Sequence, residues 1–179
     1  DVVNWFQSPA AKGSAHLVGS GTITNGESLD GRTEVAAGIA ITNLRVGGGE
    51  VRLDGAAGTS PTTVEVGGGG YLRTLRGIAG GGSMTLFGGG RVVVDCDTDT
   101  IPTLNMYGGR LEIVQCGTIT TANIYDGDAS RIGIGRPITF TTINIWPTVR
   151  NASKFLHHPL LTFSTTNWRL DSGEFVPSN

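Results

Sequence analysis

The chain has 179 residues, of which 29 are glycine, 38% are hydrophobic and 16% are charged; it is long enough to bury one core and too poor in charge to be a disordered segment. Its net charge of −2 provides no basic field for nucleic acid, and no apolar run approaches the roughly 18 residues that would cross a membrane. No signal peptide is visible, and whether residues precede Asp1 in the native protein is left open.

Residues 1–19 stand before the repetitive part of the chain. "DVVNWFQSPAAKG" sets Trp5 and Phe6 in a polar context. It reads as an N-terminal cap or an attachment arm, since the end of a repeat array leaves an edge that must be covered.

Residues 20–150 carry a repeat of about 20 residues. Its copies are "LRVGGGEVRL" (44–53), "VEVGGGGYLR" (64–73), "MTLFGGGRVVV" (84–94), "LNMYGGRLEI" (104–113), "NIYDGDASRIGI" (123–134) and "INIWPTVR" (143–150). One apolar column runs Leu44, Val64, Met84, Leu104, Ile124, Ile143. A second runs Val46, Val66, Leu86, Met106 and Ile145, broken near Asp126. A third runs Leu53, Leu72, Val92, Leu111, Ile132, and a fourth Ile78, Ile101, Ile119, Ile138. Each copy thus predicts about three short strands of period-two alternation separated by turn residues, too short for helices. One such unit cannot bury its apolar face, whereas stacked units pair their strands in parallel at about 4.8 Å. The glycine runs then sit at corners where the coil turns, at positive φ or in close approach to the next coil.

Two further columns follow from the same spacing. Asn43, Thr63, Ser83, Thr103, Asn123 and Thr142 form a small polar column suited to hydrogen bonds between coils. Cys96 and Cys116 fall on adjacent coils, with an expected Cα separation of about 5 Å that a disulfide spans and that a stacked pair of free thiols fits equally.

"DCDTD" places Asp95, Asp97 and Asp99 in alternation, which on a strand shares one face and makes them a candidate Ca²⁺ site. The EF-hand pattern fails for want of glycine at its sixth position, so a solvated turn with Asp side chains capping backbone N–H groups is the simpler reading. Asp95 and Asp97 also fit the spacing of about 5 to 10 Å that a glycosidase needs, as do many pairs in a repeat protein. Asp126 and Asp128 in "YDGD" replace a glycine corner. No G-x-S-x-G, H-E-x-x-H or Walker pattern is present, and no cofactor or catalytic residue is expected.

Arg91, Arg110, Arg131 and Arg150 recur near one corner, with Phe87, Tyr107, Tyr125 and Trp146 close by. Arg91, Arg110, Arg131 and Trp146 are the candidate stripe for a glycan or protein partner, against the plainer reading of solubilising charge paired with Glu50 or Glu112. An ice-binding face would need regularly spaced T-x-T pairs. "TITN", "TTVE", "TITT" and "TFTT" fall at different places in the coil, so no such array is expected.

Residues 151–179 lose the glycine pattern and gather Phe155, Leu156, Leu160, Leu161, Phe163, Trp168 and Phe175. They read as a lid over the last coil, a subunit contact, or both, and Pro159 argues against one continuous helix. His157 and His158 lack a nearby third ligand and read as cap residues, and "NAS" (151–153) matches a glycosylation sequon that occurs often by chance.

The repeats of residues 20–150 resemble a right-handed parallel β-helix, the all-β solenoid of pectin-lyase-like proteins, autotransporter passengers and phage tailspikes, here with about seven coils capped at both ends. The short glycine-rich form is similar to phage head-decoration, head-fibre and tailspike modules. That resemblance implies a structural, non-enzymatic virion protein on the exterior of the particle. It also implies a homotrimer docked to the major capsid or another virion protein, with a host surface glycan as a further partner and neither nucleic acid nor membrane. Trp5, Phe6, Phe155, Phe163 and Trp168 are the expected docking residues. The alternatives are a carbohydrate-binding or carbohydrate-cleaving β-helix, or a fragment of a secreted bacterial adhesin.

Overall fold

The computed structural model describes residues 2–7, 13–55 and 60–168. Strands are numbered in chain order. β1 (Val2–Gln7), β3 (Gly21–Ser28), β5 (Ile39–Val46), β7 (Thr63–Val66), β9 (Ser83–Leu86), β11 (Thr100–Met106), β13 (Thr118–Ile124), β15 (Ile138–Ile145) and β16 (Leu161–Trp168) form a nine-stranded sheet in that order. β2 (Ser14–Leu17), β4 (Arg32–Val35), β6 (Glu50–Leu53), β8 (Tyr71–Thr74), β10 (Arg91–Asp95), β12 (Arg110–Gln115) and β14 (Ile132–Ile134) form a seven-stranded one. The chain crosses from one sheet to the other and back, and neighbouring strands pair in parallel. The fold is a parallel β-solenoid of about eight turns with almost no helix. Each coil has two principal strands rather than three. The third expected segment is the first half of the long strands, where the pairing of β11 with β13 skips Pro102 and Thr120.

Alternation puts every second side chain into the space between the sheets. In β5 to β9 the inward Leu44, Val64 and Met84 stack in one column and Val46, Val66 and Leu86 in the next, all buried. Each such side chain contributes about 1.5–3 kcal/mol by leaving water. Both columns continue, with a correction to the expected register. Asn105 and Asn123 are only 18 residues apart, so Ala122, not Ile124, stacks on Leu104. Ile124 fills the second column between Met106 and Ile145, which is therefore unbroken at Asp126. In the seven-stranded sheet, Val51 stacks with Leu72, Val92, Leu111 and Ile132, while Leu53 belongs one column over with Thr74, Val94, Ile113 and Ile134. Phe140, rather than Ile138, takes the place above Ile119.

Corner glycines have two physical roles. Gly109 has φ 79°, and a Cβ there would lie 2.6 Å from the Gly90 carbonyl oxygen of the coil below. Gly26 is different: it lies in the inward column under Trp5, whose ring would be 3.0 Å from an added Cβ.

The stack reaches into both terminal segments. β1 and β2 form the first coil, and the half-buried Trp5 lies inward against the core while Phe6 points out, 59% exposed. The interior beside this coil also holds a polar contact: the Thr33 hydroxyl, on β4 of the next coil, donates to Gln7 Oε1. At the other end, α1 (Ala152–Leu156) packs on the 3-10 turn Ala129–Arg131. It buries Phe155 edge-on to Phe140, with centroids 6.0 Å apart. The chain then returns to the nine-stranded sheet as β16. Phe175 lies outside the described residues.

Candidate functional site

The outer face of the nine-stranded sheet carries columns of like residues. The Asn25 amide donates to Asn4 Oδ1 at 2.9 Å and the Asn43 amide to Asn25 at 2.9 Å. Higher up, Asn123 donates to Asn105, Asn144 to Asn123 and Asn167 to Asn144, at 2.9, 2.8 and 2.9 Å. Asn123 therefore belongs to an asparagine ladder and not, as its spacing suggested, beside Thr103, whose partners are Ser83 and Thr121.

Two residues further along each strand comes an aromatic column. Phe87, Tyr107, Tyr125 and Trp146 each begin the turn after a strand, held by a backbone N–H that donates to Val66, Leu86, Met106 or Ile124 of the preceding coil. Ring centroids are 5.6, 4.4 and 4.1 Å apart, and the first two pairs are stacked with nearly parallel planes, at 13° and 4°. Neighbouring rings stack on one another along the column, with Phe87 and Tyr107 still 41% and 44% exposed. This geometry matches the stacked aromatics that bind cross-β layers together.

Across the same turn, at the start of the seven-stranded sheet, Arg91 and Arg110 are direct neighbours, and Arg131 precedes Ile132, the partner of Leu111. Arg91 pairs with Glu112 at 3.4 Å and lies 5.3 Å from the centre of the Tyr71 ring. Arg110 and Arg131 make no ion pair among the described residues. They flank an open groove of about 830 Å³ lined by Glu112, Val114, Gly133 and Ile134. The missing side chain of Gly133 opens this groove on the outer face of β12 and β14. Trp146 closes the aromatic column on the other side of the turn and does not line it.

The three aspartates are placed apart in function. Asp95 pairs with Arg73 at 3.3 Å, Asp97 accepts from the Gln115 amide at φ 52°, and Asp99 Oδ2 accepts the Gly77 N–H at 3.0 Å. Among the described residues no group of three His, Cys, Asp or Glu is placed to hold a metal ion. The segment is a turn whose carboxylates tie neighbouring coils together.

Cys96 and Cys116 do lie on adjacent coils, buried and as free thiols. Of the docking residues, Phe6 and Phe163 are exposed, Trp5 is half-buried and Phe155 is buried in the lid, so Phe155 offers no contact. Only the backbone of Trp168 is described, paired with Ile145. His157 and His158 bond the backbone at Ser153 and Leu160 beside α1, as cap residues do.

Two features escape the sequence. Variable coil lengths bring Thr103, Thr121, Thr142 and Thr165 into one column and Thr100, Thr118, Thr139 and Thr162 into another, although the motifs look misaligned in sequence. The skipped pairing at Thr120 separates these columns, so they do not form one continuous flat run. The other feature is Arg76, fully buried, whose guanidinium donates to the carbonyls of Asp54, Ile39 (2.6 Å) and Ala36 (2.8 Å). Burial lowers its pKa, opposed by the nearby Asp54 charge. No sequence signal distinguishes it from the surface arginines, since its partners are backbone carbonyls of other coils.

No protein-family model matches the chain, and neither a curated protein nor a solved structure matches it.

Proposed function

We propose that the chain is a rigid, non-catalytic structural module on the exterior of a phage particle, docked to the coat or another virion protein. The observation that supports it is the use of the outer face. Asparagines bond one another, aromatic rings stack on one another, and Arg45–Glu27 and Arg73–Asp95 pair across coils. Side chains that an enzyme would aim at a substrate here hold coil to coil, as a stiff rod requires. Exposed Phe6 on the first coil and Phe163 on β16 supply apolar contacts for attachment. The test is density-gradient fractionation of the source material with the chain quantified by mass spectrometry. Co-migration with a particle band in fixed ratio to the major coat protein supports the reading; recovery with soluble protein or cell envelopes overturns it.

A second reading, binding of an acidic glycan, is favoured by the groove between Arg110 and Arg131, where two guanidinium groups without acidic partners among the described residues face open space. It is tested by titrating sulfated or uronic-acid oligosaccharides against the protein and its Arg110→Ala/Arg131→Ala variant. Saturable binding lost in the variant supports it, and equal binding to both removes it.

A further inference from the structure

We propose that Cys96 and Cys116 form an oxidation site, a dithiol that closes into a disulfide clasp between two successive coils when the protein meets a small-molecule disulfide. The alignment is built by a local irregularity. β10 and β12 pair Val94 with Ile113 but Asp95 with Gln115, skipping Val114. Without that bulge Cys96 would stand opposite Gln115; with it, Cys96 stands opposite Cys116. The Cys96 N–H donates to the Gln115 carbonyl at 2.9 Å and fixes the match.

The side chains converge as well. Both thiols reach the Asp99 carbonyl oxygen, Cys116 at 3.3 Å and Cys96 at 3.8 Å, so one acceptor gathers the two sulfurs. Gly117 keeps the coils close, since a Cβ there would strike the Thr98 carbonyl. The neighbouring Cys96 thiol lowers the pKa of Cys116, while the Cys116 thiol and burial push Cys96 up. Cys116 is therefore the first to ionise and the attacking sulfur, and Cys96 the resolving one.

Beside the pair runs a short exposed turn, Asp97 to Asp99, with Asp97 at φ 52°; it is closed by the Asp99 N–H to the Cys96 carbonyl at 2.9 Å and tied to its neighbours by the Gly117 N–H to the Asp99 carbonyl, the Gln115 amide to Asp97 and the Gly77 N–H to Asp99 Oδ2. Access to the sulfurs in this proposal comes from opening that turn, which breaks those bonds but leaves the β10–β12 pairs from Arg91 to Val94 in place. With oxidised glutathione as oxidant, the Cys116 thiolate attacks one sulfur of the glutathione disulfide. That bond breaks, one glutathione thiolate leaves, and a mixed disulfide remains on Cys116. Cys96, losing its proton to solvent, then attacks the Cys116 sulfur and displaces the second glutathione. Two protein thiols are oxidised by two electrons, and one glutathione disulfide is reduced to two glutathiones.

The test incubates the folded protein with oxidised glutathione at neutral pH for a day, quenches with iodoacetamide and measures intact mass and tryptic peptides. The expected product is a monomer lighter by about 2 Da, with no alkylated cysteine and a cross-link between the tryptic peptides 92–110 and 111–131, the two hydrogens having left with the disulfide. Its melting temperature rises by roughly 5 to 10 °C, the scale expected when one coil is closed into a loop, and dithiothreitol reverses the rise. The Cys96→Ser variant should stop at a glutathione adduct on Cys116. Two alkylated cysteines, a lasting glutathione adduct on the unsubstituted chain, or a disulfide between two chains would each overturn the proposal, and all three are read on the unsubstituted chain alone.

Discussion

Tyr107 and Tyr125 lie on successive coils with ring centroids 4.4 Å apart and planes within 4° of each other. Each ring is therefore part of the surface on which the next coil rests. Tyr107→Ala removes two ring contacts, to Phe87 and Tyr125. At about 0.5–1.5 kcal/mol per aromatic pair, the expected loss is about 2 kcal/mol, a fall in melting temperature of roughly 4 to 8 °C. Phe87→Ala, at the end of the column, should cost about half as much. Equal costs in thermal melts would show that the rings do not act as a ladder.

The asparagine ladder makes a parallel prediction. Asn123 both donates to Asn105 and accepts from Asn144. Asn123→Ala leaves one acceptor and one donor without partners, so it should destabilise by about 1–2 kcal/mol. Asn4→Ala, which breaks one exposed bond at the edge of the sheet, should cost well under about 1 kcal/mol by the same bookkeeping. Urea midpoints of the two variants check the order.

How far the sequence reveals this arrangement depends on coil length. Where coils hold to 20 residues, as from Val64 to Met84 to Leu104, the apolar columns read directly, and the glycine corners with them. The short step from Asn105 to Asn123 and the long ones that follow move Ile124, Asn123 and Phe140 into columns that fixed spacing misassigns. Side chains whose partners are backbone atoms of another coil, above all Arg76, leave no pattern to read.

Arg76 carries the largest single prediction. Three carbonyls, from Ala36, Ile39 and Asp54, depend on its guanidinium. Arg76→Met fills the space yet strands those acceptors, at about 1–3 kcal/mol for each buried group left unsatisfied. Arg76→Lys should not restore stability, because one ammonium on a thinner stem cannot reproduce the planar fork. A melting temperature for Arg76→Lys within a few degrees of the parent would refute this role.

Glycine corners separate into two kinds. Gly109 combines φ 79° with a neighbouring carbonyl 2.6 Å from any added Cβ, while Gly69 has φ 92° but open space around it. Gly109→Ala should therefore cost clearly more than Gly69→Ala, where only backbone strain of about 1–2 kcal/mol applies. Denaturation of both variants measures the difference, which is the cost of close approach between coils.

The central claim is that contacts between coils, inside and out, make the stack one stiff body. Native-state hydrogen exchange at residue resolution tests it most directly. The account predicts that amides from β5 through β13 share a common, high protection and lose it together as denaturant is added. Separate groups of amides, with the coils around β5 opening at much lower free energy than those around β11, would contradict it.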